Sequence, residues 1–362
     1  VQVLADHYGK ILILGERDCS IQRRYQKIIE ESPSIFINEE ARTKLYRISK
    51  KIVQEIEYVN AGTIEFLVDE KQNPYFLEMN TRIQVEHPVT EMVTGIDIIE
   101  KQIEIAAGNK LNIGEKEIII NGHAMEARIY AENPEKGFLP SPGFIYAYKE
   151  PSFPGLRIDS GIHYPTRIHP DFDPMISKVV CHGHDRNEAI SLLEKALRTY
   201  VVNGTQTNRE YLLQILNNND FIDNKISTTF IEKNNQFILE HAQKEKNSLN
   251  IHKILAAWFT AALNCKESIQ EYHPWNALGS WRQNIRKSVI FNDKQYNLSI
   301  KKYDDKTYAF EHKKNEEHIV ELKSCNKDLT ILEIDNEWLV VNSLVGKTEE
   351  DIIQINGIEY KL

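Results

Sequence analysis

The chain has 362 residues, of which 41% are hydrophobic and 27% are charged, and its formal net charge is −9 at neutral pH. This length is enough for two or three domains, and the composition is that of a globular protein. The acidic balance argues against a nucleic-acid-binding surface, which needs clustered positive charge. The apolar runs are too short to span a bilayer, so we also expect no contact with membranes.

The four cysteines are widely separated and form no CxxC pair (Cys19, Cys181, Cys265 and Cys325). This spacing favours free thiols in a reducing compartment over a disulfide framework or a zinc site. No signal-like segment opens the chain. We therefore expect a cytoplasmic protein, or one of the mitochondrial matrix if the source is eukaryotic.

The first predicted elements are two strands joined by a turn at His7–Lys10, followed by an amphipathic helix over Glu39–Val59. Strand-like runs then occur at 63–69 and 74–80 on either side of the polar loop Glu70–Asn73. This arrangement is typical of a β-hairpin.

The register of this hairpin brings acidic residues together. Counting outward from Lys71–Gln72 places Asp69 opposite Pro74, Leu67 opposite Phe76 and Glu65 opposite Glu78. Two carboxylates directly opposite each other repel, unless a cation lies between them. With Asn80 alongside, these oxygen ligands predict a site for Mg²⁺ or Mn²⁺ carrying a nucleotide phosphate.

Polar residues continue to alternate with other residues up to Glu86. If the stretch from Glu78 is extended, Asn80, Arg82, Gln84 and Glu86 share its face. The run alone is equally typical of a solvated strand face, and Arg82 with Glu86 alone is most often a structural ion pair.

The pattern continues with helices predicted over Asp97–Ala107 and Arg186–Val201, and with strands at 123–130, 145–149 and 176–182. A further helix over Ser227–Ala242 leads into a polar segment that ends at residue 250 and contains the predicted domain boundary.

The last third of the chain has a different pattern. Ile251–Leu263 predicts a helix that is apolar around most of its circumference and therefore needs to be enclosed. About eight short strands follow between Lys287 and Leu362, separated by turn signals such as Asn356-Gly357. We expect a small antiparallel barrel around the helix. The alternative is a free-standing β-module beside an unrelated helix.

Three long segments resemble the biotin carboxylase branch of the ATP-grasp ligases, in the same order: Glu16–Ser34, Glu65–Gly108 and Asn121–Gly143. The resemblance runs from Val1 to about Lys233. It implies an α+β fold, the C-terminal half of an ATP-grasp biotin carboxylase domain, and we expect the N-terminal half of that domain to be absent from this chain.

The remainder resembles, more weakly, the region between the biotin carboxylase and biotin-carrier domains of acyl-CoA carboxylase alpha subunits. The domains implied are therefore a carboxylase domain at 1–233, a connector at 234–250 and a helix with a small β-barrel at 251–362. In the family, the last of these bridges subunits.

The resemblance implies that ATP, with Mg²⁺ or Mn²⁺, activates bicarbonate as carboxyphosphate, which then carboxylates biotin. Biotin would be carried on a domain outside this chain, because no Ala-Met-Lys-Met-like signature is present. The family's metal ligands match Glu65, Glu78 and Asn80, with both glutamates also in the nucleotide site. Gln22 and Tyr25 match nucleotide-pocket positions, although relatives often have His at the position of Tyr25.

The remaining roles implied by the resemblance concern the reacting groups. Arg82 matches the bicarbonate-binding arginine, assisted by Gln84 and Val85, and Lys27 matches a residue of the bicarbonate and nucleotide pocket. Glu86 matches the general base that takes the bicarbonate proton, and we expect neighbouring Arg82 to keep it ionised. Arg128 matches the residue that stabilises the enolate-like oxygen of biotin.

The implied partners are bicarbonate, a biotin carrier domain and a carboxyltransferase beta subunit in a large hetero-oligomer. Trp275 and Trp281 resemble a loop of methylcrotonyl-CoA carboxylase-like subunits, so methylcrotonyl-CoA is the first-ranked acceptor, before propionyl- or acetyl-CoA. Two alternatives remain at this point. One is another bicarbonate-activating ATP-grasp ligase, such as carbamoyl phosphate synthetase, and the other is an assembly module without its own activity.

Overall fold

The computed structural model describes residues 1–163, 165–264, 284–304, 306–313, 316–325, 329–343 and 351–362. Within these residues the helices are, in chain order, α1 (Glu39–Glu55), α2 (His87–Thr94), α3 (Ile98–Ala106), α4 (Arg186–Thr199), α5 (Arg209–Leu216), α6 (Asn219–Ile222), α7 (Phe230–Ser248) and α8 (Ile251–Asn264). The strands are β1 (Gln2–Ala5), β2 (Ile11–Ile13), β3 (Asp18–Arg23), β4 (Gln26–Ser32), β5 (Asn60–Val68), β6 (Pro74–Asn80), β7 (His123–Tyr130), β8 (Glu132–Asn133), β9 (Leu139–Pro140), β10 (Gly143–Ile145), β11 (Ala147–Lys149), β12 (Leu156–Ser160), β13 (Thr166–Ile168), β14 (Met175–Gly183), β15 (Val201–Asn203), β16 (Asn284–Phe291), β17 (Lys294–Lys302), β18 (Thr307–Lys313), β19 (Glu316–Cys325), β20 (Leu329–Ile334), β21 (Glu337–Ser343), β22 (Ile352–Ile355) and β23 (Ile358–Lys361).

A four-stranded antiparallel sheet with the order β2-β1-β5-β6 forms the first layer. Successive residues of β1 point to opposite faces, as in any strand. Val3 and Ala5 pack with Val53 of α1, whereas Leu4 packs with Ile98 of α3. The sheet is therefore buried between two helices, and its β5–β6 hairpin extends from this core.

A five-stranded antiparallel sheet with the order β12-β14-β7-β4-β3 forms the second layer. One face, including Ala127, packs on α4 and α5 in the largest apolar cluster. On the other face Ala124 and Val180 pack against Val89 and Val93 of α2. The charged residues of β4, β7 and β14 that face this side are covered by α2 and the turn before it.

The C-terminal region forms an eight-stranded antiparallel sheet in which β16 to β23 follow each other in chain order. Helix α8 lies against this sheet, and Trp258 and Phe259 of the helix share one core with residues from all eight strands. Phe291 of β16 and Tyr360 of β23 have ring centroids 6.5 Å apart, so the first and last strands approach each other. The predicted barrel-like sheet around a buried helix is confirmed.

Helix α7 crosses the position at which we predicted the end of the first domain. It runs to Ser248, and Ile238 still belongs to the apolar core of the second sheet. The boundary at 233–234 thus falls inside a helix, and the domain limits remain a prediction. Beyond it, Gln354 of β22 donates to the carbonyl of Tyr200 at 3.2 Å, which attaches the barrel to the end of α4.

Most elements predicted from the pattern are present, with shifted ends. The predicted strand at 145–149 is divided into β10 and β11, because each part pairs with a different strand. Trp275, Trp281 and Cys265 lie outside the described residues. The loop on which the ranking of the acyl-CoA acceptors rests is therefore not described by the structure. Among the described residues, no helix combines the length and apolar character that a membrane crossing requires.

Candidate active site

The β5–β6 hairpin places Glu65 and Glu78 directly opposite each other, as predicted. The other two predicted pairs are wrong, because Val68 faces Pro74 and Phe66 faces Phe76. A β-bulge at Leu77 adds one residue to β6 and restores the register at the two glutamates. The carboxylate pair therefore depends on an irregularity that outward counting could not supply.

Asn80 lies between the two carboxylates and relieves their repulsion. Its Nδ2 donates to Glu65 Oε1 at 3.1 Å and to Glu78 Oε1 at 3.0 Å. Both carboxylates thus lie within reach of one point, and rotation of the Asn80 amide would present its oxygen there instead. Two carboxylates and an amide oxygen are the hard ligands that Mg²⁺ and Mn²⁺ prefer, so these residues fit such an ion.

The extended conformation predicted as far as Glu86 ends at Asn80, where β6 ends. Residues 81–86 form a bend and a turn that lead into α2, which begins at His87. Gln84 nevertheless returns to the site, because its Nε2 donates to Glu65 Oε1 at 2.6 Å. Asn80 and Gln84 therefore lie on the same side, as predicted, but a turn and not a strand brings Gln84 there.

Arg82 is exposed, and its guanidinium donates to the carbonyl of Ile83 at 3.0 Å and to Asn80 Oδ1 at 3.4 Å. The expectation that Arg82 keeps Glu86 ionised is therefore wrong. The bend after Asn80 turns Arg82 outward, and other cations surround Glu86.

Glu86 is held between Lys27 of β4 and Arg128 of β7. Lys27 Nζ lies 2.7 Å from Glu86 Oε1 and 3.0 Å from Glu65 Oε1, and Arg128 Nη2 lies 2.9 Å from Glu86 Oε2. Burial by itself would raise the pKa of Glu86, but Arg17, Lys27 and Arg128 outweigh it and lower this pKa to about 2. Glu86 is therefore ionised at neutral pH, as a general base must be.

Arg17 is a site residue that sequence reasoning missed. Its Nη2 donates to Thr63 Oγ1 at 3.0 Å and to Gln84 Oε1 at 2.9 Å, while Nη1 donates to Gln2 and Thr90. One guanidinium thereby joins the first sheet to the turn before α2. The only available signal was a charged residue next to the predicted second strand, which is too common to be diagnostic.

Lys178 of β14 was also missed. It pairs in register with Arg128, and its Nζ donates to the carbonyl of Val85 at 3.0 Å and contacts Asp159 at 3.1 Å. The backbone of the 81–86 turn is thus fixed from below by the second sheet. A lysine within the predicted strand at 176–182, next to the apolar residues Val179 and Val180, was the signal, because such a side chain must find partners when it is buried.

Two further acidic residues, Glu30 of β4 and Glu126 of β7, lie beneath Arg128 and are fully buried. They are directly opposite each other in the sheet, and Arg128 Nη2 is ion-paired with Glu30 Oε1. Alternation along the predicted strand at 123–130 places Glu126 on the face of Arg128, but it gave no reason to expect a second buried carboxyl beside it.

Gln22 and Tyr25, both predicted as nucleotide contacts, belong to the β3–β4 hairpin and have different positions. Gln22 pairs in register with Lys27 and lines the cavity beside Glu65 and Glu86. Tyr25 lies at the tip of the hairpin with φ +67°, is 95% exposed, and is not among the residues that line this cavity. The structure therefore brings Gln22, but not Tyr25, to the site.

A cavity of about 570 Å³ lies beside Glu65 and Glu86, whereas Glu78, Asn80 and Arg128 are not among the residues that line it. Its wall includes Arg17, Lys27, Glu65, Gln84 and Glu86. Cations thus lie beside the carboxylates that could hold a metal ion, and the arrangement suits an anionic ligand bound together with a divalent cation.

Comparison with known proteins agrees with this arrangement. Residues 1–114 match the family described as carbamoyl-phosphate synthase L chain, ATP binding domain, and residues 126–233 match the biotin carboxylase C-terminal domain. The chain is similar to biotin carboxylase 2 of Bacillus subtilis, with 50% identity over 233 residues that cover 64% of this chain and 52% of the relative. The mitochondrial propionyl-CoA carboxylase alpha chain of Homo sapiens is 48% identical over 233 residues, covering 64% of this chain and 32% of that protein.

A solved structure is similar over the same part of the chain. It is the biotin carboxylase domain dimer of the Hydrogenobacter thermophilus 2-oxoglutarate carboxylase in complex with MgADP, ADP and bicarbonate. The TM-score is 0.64 at 44% identity, covering 66% of this chain and 52% of that one. This chain spans about half the length of the bacterial relatives it matches. On both family matches and on these relatives, residues 1–233 of the chain belong to the biotin carboxylase family.

Proposed function

We propose that residues 1–233 form the part of a biotin carboxylase that binds the metal–nucleotide complex and bicarbonate and presents them to biotin. The observation that carries this proposal is the ionised Glu86 held by Lys27 and Arg128 at the floor of a cavity that also contains Glu65. An ordinary structural ion pair would not explain why Gln84 of the cavity wall and Asn80 of β6 both donate to Glu65.

In the proposed reaction, Glu65, Glu78 and Asn80 hold Mg²⁺ or Mn²⁺ with ATP. When bound, the metal neutralises charge on the transferred phosphoryl group. A bicarbonate oxygen attacks the γ-phosphorus, the bond from that phosphorus to the oxygen of ADP breaks, and carboxyphosphate and ADP result. Glu86 takes the bicarbonate proton.

The remaining residues orient the anions. We assign bicarbonate to Arg82 and to the backbone around Gln84 and Val85, and phosphate oxygens to Lys27, with Gln22 lining the nucleotide side. Arg82 reaches outward in the structure, so it would have to rotate toward the cavity when the anion binds. Because Lys27 would then also serve other anions, its hold on Glu86 would weaken, and the pKa of Glu86 would rise toward that of a more effective base.

Arg128 would stabilise the negative charge that develops on the ureido oxygen of biotin when its nitrogen loses a proton. The nitrogen then forms the bond to the carboxyl carbon as the bond from that carbon to the phosphate oxygen breaks, and the leaving phosphate takes the proton of the nitrogen. A fixed cation that opposes developing negative charge is the arrangement that oxyanion-binding sites use. Lys178 supports it by holding the Val85 carbonyl, and hence the Glu86 turn, against the second sheet.

The metal assignment can be tested on the chain itself by Mn²⁺ titration with ADP, followed by electron paramagnetic resonance. We expect Glu78→Gln to weaken Mn²⁺ binding at least tenfold. Loss of a residue that only hydrogen-bonds to a metal ligand already lowers metal affinity by about 10–100-fold, so loss of a ligand should cost no less. Glu55→Gln is the matched control, because Glu55 is an exposed glutamate at the end of α1 and does not line the cavity. Equal binding by wild type and Glu78→Gln would remove Glu78 from the site.

The activity is tested in the full-length protein by bicarbonate-dependent ATP cleavage and by carboxylation of free biotin with labelled bicarbonate. A competing assignment is carbamoyl phosphate synthesis, since one matched family carries that description. The match of residues 126–233 to the biotin carboxylase C-terminal domain favours biotin. ATP cleavage that requires bicarbonate but does not carboxylate biotin would refute this choice.

We further propose that the barrel-like region, 251–362, docks a carboxyltransferase beta subunit, so that the chain acts as an alpha subunit of an acyl-CoA carboxylase. Support comes from its separate core around α8 and its attachment to Tyr200 through Gln354. In the full-length protein, removal of this region should abolish co-purification with the beta subunit while free biotin is still carboxylated. If the deletion variant still assembles with the beta subunit, residues 251–362 neither bridge the subunits nor act as an assembly module. The region would then be only an appendage of the carboxylase domain.

The acceptor and compartment are finer parts of the proposal. We rank methylcrotonyl-CoA first, then propionyl- or acetyl-CoA, because of Trp275 and Trp281 alone. A panel of the three acyl-CoA substrates with the assembled enzyme would test this order. The carrier-bound biotin would be supplied by a domain outside this chain, and a reducing compartment, cytoplasm or mitochondrial matrix, is proposed from the scattered thiols.

A further inference from the structure

Two carboxyl groups face each other in the interior of the second sheet, and the proposed reaction does not use them. Glu30 on β4 and Glu126 on β7 are directly paired, so both side chains point to the same face. Both are completely buried, and neither oxygen of Glu126 accepts a hydrogen bond from the described part of the chain. A buried, unpartnered carboxylate is too costly to remain ionised, whereas a neutral carboxyl is tolerated.

The charges around the pair lead to the same conclusion. Arg128 Nη2 is ion-paired with Glu30 and with Glu86, and its Nε lies 4.0 Å from Glu126 Oε1. If all three carboxyls were ionised, three negative charges would surround one guanidinium in a site closed to water. Burial raises the pKa of Glu126 well above its ordinary value, and the negative charge of Glu30 raises it further.

The other charged groups near the pair do not replace this proton. Lys27 on β4 acts on Glu30 and Lys178 on β14 acts on Glu126, and α2, which carries His87 and Glu91, packs against these strands. Lys27 is already bound by Glu86 and Glu65, and Lys178 by Asp159 and the Val85 carbonyl. Glu91 is paired with Arg157. Burial, with a smaller contribution from Glu86, also raises the pKa of Glu30, to about 7.

Glu31, the residue next to Glu30, is a buried carboxylate of the same sheet whose negative charge is balanced by basic neighbours. Glu31 points to the opposite face, where His123 Nε2 lies 2.8 Å and Arg186 Nε 2.7 Å from its Oε2. Burial would raise the pKa of Glu31, but these partners lower it below its ordinary value. Within the described residues, the only cation in ion-pair distance of Glu30 and Glu126 is the guanidinium of Arg128, which Glu86 also engages.

We propose that Glu30 and Glu126 share one proton and act as a positioning pair for Arg128, holding its guanidinium beneath Glu86 without fully neutralising it. With one proton, the pair carries one negative charge, which fixes the orientation of Arg128 through the contact with Glu30. Without that proton, a second buried charge would draw the guanidinium away from Glu86 and cancel its positive field. The proton sharing stands independently, whereas its consequence for catalysis rests on the proposed function.

The shared proton can be detected without any activity assay. Infrared spectra of the whole chain at neutral pH, in H₂O and D₂O, report the C=O stretch of a protonated buried carboxyl. We expect the difference spectra of wild type against Glu30→Gln and against Glu126→Gln to show the loss of the same single band. In either variant the remaining glutamate should ionise, because only one carboxylate then competes for Arg128 and the repulsion from its partner is gone.

Glu31→Gln is the control variant, and circular dichroism of each variant confirms that it is folded. We expect the infrared spectrum of Glu31→Gln to keep the protonated-carboxyl band, because Glu31 is ionised and paired with Arg186 and His123. A band missing from wild type, a band that survives in both Gln variants, or a band lost in Glu126→Gln alone would each overturn the sharing of one proton.

The consequence for Arg128 is tested by the pH dependence of biotin carboxylation in the full-length protein. Wild-type kcat should fall at alkaline pH as the pair loses its proton, and Glu126→Gln, which cannot lose one, should not show this fall. Glu126→Ala should lower kcat by about 10²-fold, as misplacement of a reacting group typically does, with little change in the KM for ATP. Identical pH profiles of wild type and Glu126→Gln would refute the positioning role. Absence of carboxylation in wild type would instead refute the proposed function and leave the infrared result unaffected.

Discussion

Replacement of Glu86 by Gln tests whether the electrostatic cluster stabilises the folded chain as well as serving the reaction. Glu86 is 2% exposed, and its carboxylate bridges Lys27 of β4 and Arg128 of β7 at 2.7 and 2.9 Å. Glutamine has the same shape but no charge, so the partly buried Lys27 and the buried Arg128 lose the counter-ion that they share. We therefore expect a substantial loss of stability at neutral pH.

The magnitude follows from the pKa of Glu86. A decrease from 4.5 to about 2 corresponds to about 3 kcal/mol, since each pH unit is worth about 1.4 kcal/mol. Because the pKa is lower in the folded state, this stability is present above pH 4.5 and is lost as the pH falls toward 2. The difference between wild type and Glu86→Gln should be constant between pH 6 and 8 and should decrease below pH 4.5.

The assay uses the distribution of aromatic residues. All four tryptophans lie after residue 250, so their fluorescence follows the barrel-like region, whereas far-ultraviolet circular dichroism follows the whole chain. In urea, Glu86→Gln should move the circular-dichroism transition and leave the midpoint of the fluorescence transition unchanged. Glu78→Gln is the matched control, because Glu78 is exposed and its removal should change stability by no more than about 0.5 kcal/mol.

The reasoning would be refuted if Glu86→Gln were as stable as wild type at pH 7. It would also be refuted if the stability difference between them persisted undiminished at pH 3.5. Either result would mean that the pKa of Glu86 is not lowered by Lys27, Arg17 and Arg128.

Two further predictions concern the reacting end and the barrel-like region. In the full-length protein, Arg128→Ala should reduce carboxylation of free biotin by about 10²–10³-fold and leave ADP affinity, measured by calorimetry, nearly unchanged, and an equal loss of both would contradict its assigned role. Phe259→Ala, which empties a buried site on α8, should lower the unfolding free energy of residues 251–362 by about 3–5 kcal/mol when followed by tryptophan fluorescence. A change below 1 kcal/mol would mean that α8 is not enclosed by the strands.

Much of the fold was accessible from the sequence because local patterns agree with it. The apolar helix at 251–263 and the strands after it could bury their apolar faces only against each other, so the barrel around a helix followed from composition and periodicity. The carboxylate pair Glu65–Glu78 was likewise predictable, since a hairpin limits which residues can face each other. The bulge at Leu77 that sets their register was not, because nothing in a strand pattern marks an extra residue there.

The cluster around Glu86 was determined only by the tertiary structure. Sequence adjacency favoured Arg82 as its partner, four residues away, but the chain bends after Asn80 and the nearest cations come from Lys27 and Arg128 on the second sheet. Ion pairs of this kind join residues 42 and 59 positions apart, and no local pattern encodes such distances.

The Glu30–Glu126 pair shows the same limit. Each residue by itself is an ordinary glutamate in a strand, and alternation gives the face on which it lies. Only the register between β4 and β7 places the two carboxyls opposite each other, and only the packing of α2 excludes water from them. The sequence determined which residue types the site contains, whereas the pairing of distant strands determined their charges, because an ionised group responds to its neighbours in space and not to those along the chain.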